Sequence, residues 1–165
     1  MHTGDPLLWD IVVKAATGGV PSVEELLYAE AALGSPVALD RANACEAILR
    51  RSTLKTQRTA ALTVLESLCL ASENEDYVVV LLNAMLYARN LTFRNPSRMR
   101  DFVLRSVRSP KAPIRTNAVE LVEQLARAGD RQSLDALRAL TRDPDSNVRS
   151  NAIVSLRNLG ASADS

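Results

Sequence analysis

The chain of 165 residues has little of what most catalytic and metal sites are built from: one histidine, His2, two cysteines and 4% aromatic residues. With a single histidine beside Met1, Ser/His/Asp and Cys/His arrangements have almost no material. Cys45 and Cys69 sit inside helical patterns, with no CxxC partner and no neighbouring histidine. Zinc-type spacing is therefore missing, and both thiols are expected as small buried residues of a reducing compartment. No Gly-rich phosphate loop is present. The acidic group Glu73, Glu75 and Asp76 falls in a first helical turn, where carboxylates favour the helix dipole. The expectation is a non-enzyme, with no catalytic residue, no cofactor and no metal.

Long apolar runs are also missing. The longest, residues 77–82, is far shorter than the ~20 residues of a membrane span. Residues 1–6 lack the basic stretch of a secretory leader and carry Asp5. A soluble, cytoplasmic protein is expected. The six Gly and seven Pro lie between apolar-periodic segments. Aromatic scarcity leaves Leu, Ala and Val to fill the core, and Leu and Ala favour helix. Trp9, spaced with Leu8, Val12 and Val13, reads as core packing.

Net charge is +1, yet the halves differ. Residues 1–88 carry 6 basic and 11 acidic side chains, and residues 89–165 carry 14 and 8. Arg outnumbers Lys 17 to 3. The basic excess concentrates in Arg89, Arg94, Arg98, Arg100, Arg105, Arg108, Lys111 and Arg115, with Asp101 the lone acid in that window.

Helix punctuation is legible throughout. Asp5-Pro6 opens a first helix that Gly18-Gly19 stops, and Ser22-Val23-Glu24-Glu25 is a capping box closed by Gly34. Ser35-Pro36 opens a third helix to about Arg51, and a fourth runs from about Leu54 to Ala71. A second capping box, Ser72-Glu73-Asn74-Glu75, opens a fifth helix to about Asn90. Tyr77-Val78-Val79-Val80-Leu81-Leu82 has strand composition, but its apolar pattern continues through Ala88, which decides for helix. Asn95-Pro96, Pro113, Asp130 and Asp143-Pro144 open four more, the last ending at Leu159-Gly160. Short connections imply stacked helical hairpins. Residues 1–160 read as a single helical-repeat domain, with divergent hairpins over 5–91, two repeats over 97–160, and a disordered tail at 161–165.

Two segments align at an offset of 34 residues. Ser109-Pro110-Lys111-Ala112-Pro113-Ile114-Arg115-Thr116-Asn117-Ala118-Val119 lies over Asp143-Pro144-Asp145-Ser146-Asn147-Val148-Arg149-Ser150-Asn151-Ala152-Ile153. A weaker third copy surrounds Ser52 and Arg58, where Gln57 replaces the apolar residue before Arg. One helical pair cannot hide its apolar face alone, so recurring pairs stack into a shared core.

The segment 134–160 resembles a HEAT repeat. The residues that carry the likeness are Leu137-Arg138-Ala139-Leu140, the turn Asp143-Pro144-Asp145, and Asn147-Val148-Arg149-Ser150-Asn151-Ala152 through Leu156-Arg157-Asn158-Leu159-Gly160. The resemblance implies an all-α, right-handed α-solenoid of about nine helices, HEAT/ARM-like. It also implies a ladder between repeats built on a turn Asp and an Arg six residues later. Asp143 and Arg149 match both positions, while Arg115 and Arg58 keep only the arginine. The kinking Pro common in a first HEAT helix is missing. The run Ala61-Leu62-Thr63-Val64-Leu65-Glu66-Ser67-Leu68 is similar, more weakly, to VHS/ENTH superhelical adaptor domains.

The function expected is a protein–protein interaction module or adaptor. Its partner-binding candidates are Arg94, Arg98, Arg100 and Arg105 on a basic ridge, and Asn117, Glu120, Gln124, Asn151, Ser155 and Asn158 on the second helices of the hairpins. Thr63 and Glu66 are further polar positions of that kind. The repeated Asn117 and Asn151 either contact a ligand or bridge repeats. The alternative is a nucleic-acid binder using segment 89–115, although no aromatics interleave the arginines as single-strand stacking requires. HEAT-like glycosylases exist, but no active-site set of that kind can be placed on this chain.

Overall fold

A computed structural model describes residues 4–71, 77–88 and 92–161. Among them all regular structure is helical: α1 (Pro6–Ala16), α2 (Val23–Ala32), α3 (Ala38–Arg51), α4 (Lys55–Ala71), α5 (Val78–Tyr87), α6 (Pro96–Ser106), α7 (Ala112–Arg127), α8 (Arg131–Leu140) and α9 (Ser146–Asn158). No helix among the described residues is long and apolar enough to cross a membrane. The chain divides into two compact units, Met1–Pro96 and Ser97–Ser165.

Caps explain several of these boundaries. The Asp5 carboxylate accepts the N–H groups of Leu7 and Leu8, and Ser22 and Glu25 form a reciprocal capping box. Gly18 and Gly129 end α1 and α7 at φ 93° and 94°, a backbone that side chains with a Cβ rarely adopt. Ser35 stands one turn before α3 instead of starting it. Its Oγ accepts the Val37 N–H, so the helix begins at Ala38. The 77–82 segment is helical, as its continued pattern required. The capping box at 72–75, the acidic group at 73–76, Arg89, His2 and the tail beyond Ala161 lie outside the described residues.

In the first unit α3 is the centre, packed by α1, α2, α4 and α5. Every residue from Ala42 to Leu49 is buried. Ala42, Ala44, Cys45 and Ala47 are small enough to let helices approach on several sides. Burial that complete also takes in Asn43 and Glu46. Glu46 pairs with Arg50 one turn on, which in turn lies over the Tyr87 ring at 4.1 Å. Both cysteines are buried, and desolvation pushes the Cys45 thiol up to about 12.

Trp9 departs from the expected core role. Leu8, Ile11, Val12 and Ala15 form the buried stripe of α1, whereas Trp9 and Val13 are each 40% exposed. Trp9 follows Leu8 by one residue, and a helix turns adjacent side chains apart by about 100°. Val12 shares Leu8's face through the i, i+4 relation, so the stripe excludes Trp9.

In the second unit α7, α8 and α9 each pack on the other two. Ile114, Ala118, Leu121 and Val122 are buried on α7, Leu137 and Leu140 on α8, and Val148, Ala152 and Leu156 on α9. At about 25 cal/mol per Å² of apolar surface, each buried Leu or Ile contributes roughly 2 kcal/mol.

Candidate functional site

The recurring arginine sits six residues after the start of its turn, and its guanidinium folds back onto that turn. Arg115 Nη1 donates to the carbonyls of Ser109 and Pro110 at 2.8 and 3.1 Å. Arg149 Nη1 does the same to Asp143 and Pro144 at 2.8 and 2.9 Å. Arg58 Nη1 reaches the carbonyls of Leu49 and Ser52, and its Nη2 reaches Tyr87 at the end of α5. These carbonyls lie at or just past helix C-termini, where the last turn leaves acceptors unpaired and partial negative charge exposed. The first turn residue completes the motif. The side chains of Ser52, Ser109 and Asp143 each accept the N–H two residues on.

A fourth copy escaped the sequence comparison. Ser35 accepts the Val37 N–H through its hydroxyl and the Arg41 guanidinium through its carbonyl. The signal was present as Ser35-Pro36 followed by Arg41, the same spacing as Ser109-Pro110 and Arg115. It falls at half-repeat distance from Ser52, which an alignment at 34 residues passes over. Arg51 serves another helix end, donating through Nε and Nη2 to the Ala15 carbonyl of α1.

Among the described residues one rung joins the two aligned repeats by a charge pair. Arg115 Nε and Nη2 donate to Asp143 Oδ2 and Oδ1, both at 2.8 Å, a two-point fork. Both residues are 9% exposed. Arg115 holds the Asp143 carboxyl below the usual carboxylate range. Asp143 therefore takes Arg115 on its side chain and Arg149 on its carbonyl. In the third copy the position of Ile114 and Val148 is Gln57, and the structure shows why a polar residue survives there. Gln57 is buried, accepts from Ser52 Oγ and donates to Glu30 Oε2 at 2.8 Å.

The basic segment separates into tethered and open side chains. Arg100, expected on the ridge, is tethered. Its Nε and Nη2 donate to Asp130 Oδ2 and Oδ1 at 3.0 and 2.8 Å, and Nη2 also reaches Gln132. It lies four residues before the buried Leu104, which turns it toward the start of α8. The pair also redirects Asp130, whose carboxylate is held below its ordinary range mainly by Arg100. Asp130 accepts from Arg100 and from the Ser133 hydroxyl, and it makes no side-chain cap bond to α8.

Arg98 and Arg105, seven residues apart on one face of α6, are exposed, as are Arg108 and Lys111. Among the described residues the side chains of Arg98, Arg105 and Arg108 have no ion-pair or hydrogen-bond partner. Arg108 borders a groove lined by Leu104, Val107, Ala136, Ala139 and Leu140, with Gln132 and Asp135 at its polar edge. Arg94 belongs to the first unit. Its side chain is exposed and its N–H donates to buried Glu66. Glu66, read from sequence as an outward polar position, instead holds the segment before α6 by also accepting from Asn95 N and Nδ2.

The polar positions on α7 and α9 are equally divided. Glu120 and Asn151 are exposed and Gln124 is half-buried. Asn117 donates to the Pro113 carbonyl of its own helix, so it bridges no repeat. Asn158 is the residue that spans α9 and α7, with Nδ2 3.4 Å from both Glu123 oxygens. Ser155 is 4% exposed and cannot serve as a contact. It stands seven residues after Val148 and three after Ala152, in the middle of the packed face, where a small side chain fits.

Residues 103–165 match the family model of HEAT repeats. The match begins after the 61–68 run, and no comparison shows the likeness of that run to VHS/ENTH domains. No curated protein matches the chain, and no solved structure does. The matched segment contains the paired turns, the Arg115–Asp143 rung and the shared apolar face of α7 and α9, and over this segment the chain is similar to HEAT repeats.

Proposed function

We propose that the chain is a non-enzymatic protein-interaction module of the cytoplasm, and that the open arginine face of α6 recognises an acidic partner protein. The HEAT family supports the general role, since its repeats act mainly as binding scaffolds. The observation that carries the finer reading is the contrast among arginines. Arg58, Arg100, Arg115 and Arg149 are hydrogen-bonded within the scaffold, whereas Arg98, Arg105 and Arg108 are exposed and their guanidiniums have no partner among the described residues. The apolar groove beside Arg108 favours a polypeptide over a bare phosphate backbone, because it offers area to apolar side chains next to the charge. Two free, buried cysteines fit a reducing compartment.

Fluorescence anisotropy with an Asp/Glu-rich peptide carrying apolar residues, and in parallel with duplex DNA, tests the reading. The peptide is expected to bind, and joint reversal of Arg98, Arg105 and Arg108 to Glu should weaken it at least about tenfold. Tight DNA binding that falls linearly with log salt, at a slope of about −3 or steeper, would instead assign the face to nucleic acid.

A further inference from the structure

Arg115 and Val119 are four residues apart and share a flank of α7. That flank faces the following repeat, because the Arg115 fork closes on Asp143. Val119 is accordingly buried, at 2% exposure. Thirty-four residues on, Arg149 and Ile153 repeat the pair on α9. Arg149 is anchored by the same Nη1 bonds to its own turn, which fixes the direction of its fork. Its Nε and Nη2, the atoms that hold Asp143 in the copy before, have no partner among the described residues. Ile153 is 37% exposed, and Val154 beside it 51%. An apolar β-branched residue is kept at a position that its equivalent buries.

We propose that this edge of α9 is a docking surface for a helical hairpin that presents a turn carboxylate. The carboxylate would meet the Arg149 fork as Asp143 meets Arg115, and the helix after the turn would cover Ile153. The occupant is specified by the interface the chain already makes between its own repeats: one acid just before a helix, and an apolar face following it. This surface is separate from the α6 arginine face, and either can fail without the other.

The test extends the chain after Ala161 with a second copy of residues 129–161, which holds the hairpin at high local concentration. The Arg149 Nε–H resonance should move to the shift and slow exchange of Arg115, and the melting temperature should rise by about 5 °C or more. Arg149→Lys keeps a donor for the turn carbonyls and loses the fork. It should lower the melting temperature of the extended chain by more than it lowers that of the unextended chain, removing most of the gain between the two. Asn in place of the aspartate in the added copy should act alike. An unchanged Arg149 signal, a gain insensitive to both substitutions, or an added copy that stays unfolded by circular dichroism would overturn the proposal. So would an Arg149 signal in the unextended chain that shifts on Asp164→Asn, because the chain's own tail would then occupy the fork.

Discussion

The two units use the same turn arginine for different kinds of core. In the first, four helices surround α3, and the turn arginines Arg41 and Arg58 only close helix ends. In the second, α7 and α9 are copies of each other, and the turn arginine also reaches across to the neighbouring copy's aspartate. The backbone device is thus more widespread than the charge pair: among the described residues four turns carry the Ser/Asp-to-Arg spacing, and one carries the rung. What makes the second unit recognisable as repeats is the addition of Asp143 and of two matching apolar faces. The comparison also explains why Arg58, Arg115 and Arg149 are arginines and not lysines. Each of these three meets two or more acceptors at once, which a planar fork does better than a single ammonium.

Burying a charge in each core should give the largest effects and separate the units. Ala44→Asp and Ala152→Asp each place a carboxylate where no exposure exists, at a cost of about 4 kcal/mol or more. Hydrogen exchange should lose protection first around α3 in the former and across α7–α9 in the latter. Protection lost equally everywhere in both variants would deny the division.

Next comes Arg115→Ala, which leaves Asp143 buried without its cation and should cost about 3 kcal/mol in denaturant unfolding. Arg58→Ala, which loses carbonyl bonds but strands no charge, should cost about 1–2 kcal/mol. Equal losses would mean that the rung adds nothing to the cap. Gln57→Leu imports the apolar residue of the other copies into the first unit. It should still destabilise by about 1–2 kcal/mol, because Ser52 and Glu30 lose their shared partner. A stabilised variant would show that the polar network is dispensable.

Acid should produce the smallest and most diagnostic difference. Asp143 and Asp130 have folded values below their unfolded ones, so their stabilisation is present above the unfolded carboxylate range and lost as pH falls through the folded values. Exposed Asp5 and Glu25 act in the same direction in the first unit. Glu46 acts in the opposite one. Burial raises it, so its cost is present above the folded value and relieved as acid protonates it. From neutral pH to about 3, amides of α7–α9 should therefore lose more protection than those of α3.

Much of this architecture could be read from the residues because helix punctuation acts locally. Asp5, Ser22 and Gly129 work within one turn, and the copies at 109 and 143 share residues position by position. The failures involve partners distant in sequence. Arg100 looked like a ridge residue because Asp130 lies 30 residues away, and Glu66 looked outward because its acceptors serve Arg94 and Asn95. Ser155 and Trp9 differ for another reason: Ser155 is polar but lies on the packed face, and Trp9 is spaced with Val12 and Val13 but stands beside the buried Leu8, Ile11, Val12 and Ala15 stripe. Asn117 and Asn151 recur in sequence, yet Asn158 makes the cross-helix contact to Glu123.

The most direct test of the rung is a double-mutant cycle on Arg115→Ala and Asp143→Ala, followed by denaturant unfolding. A fork that ties one repeat to the next predicts a coupling of about 1–3 kcal/mol, with the double variant less destabilised than the two single losses combined. Additivity within about 0.5 kcal/mol would contradict it and leave Arg115 as a turn cap like Arg58.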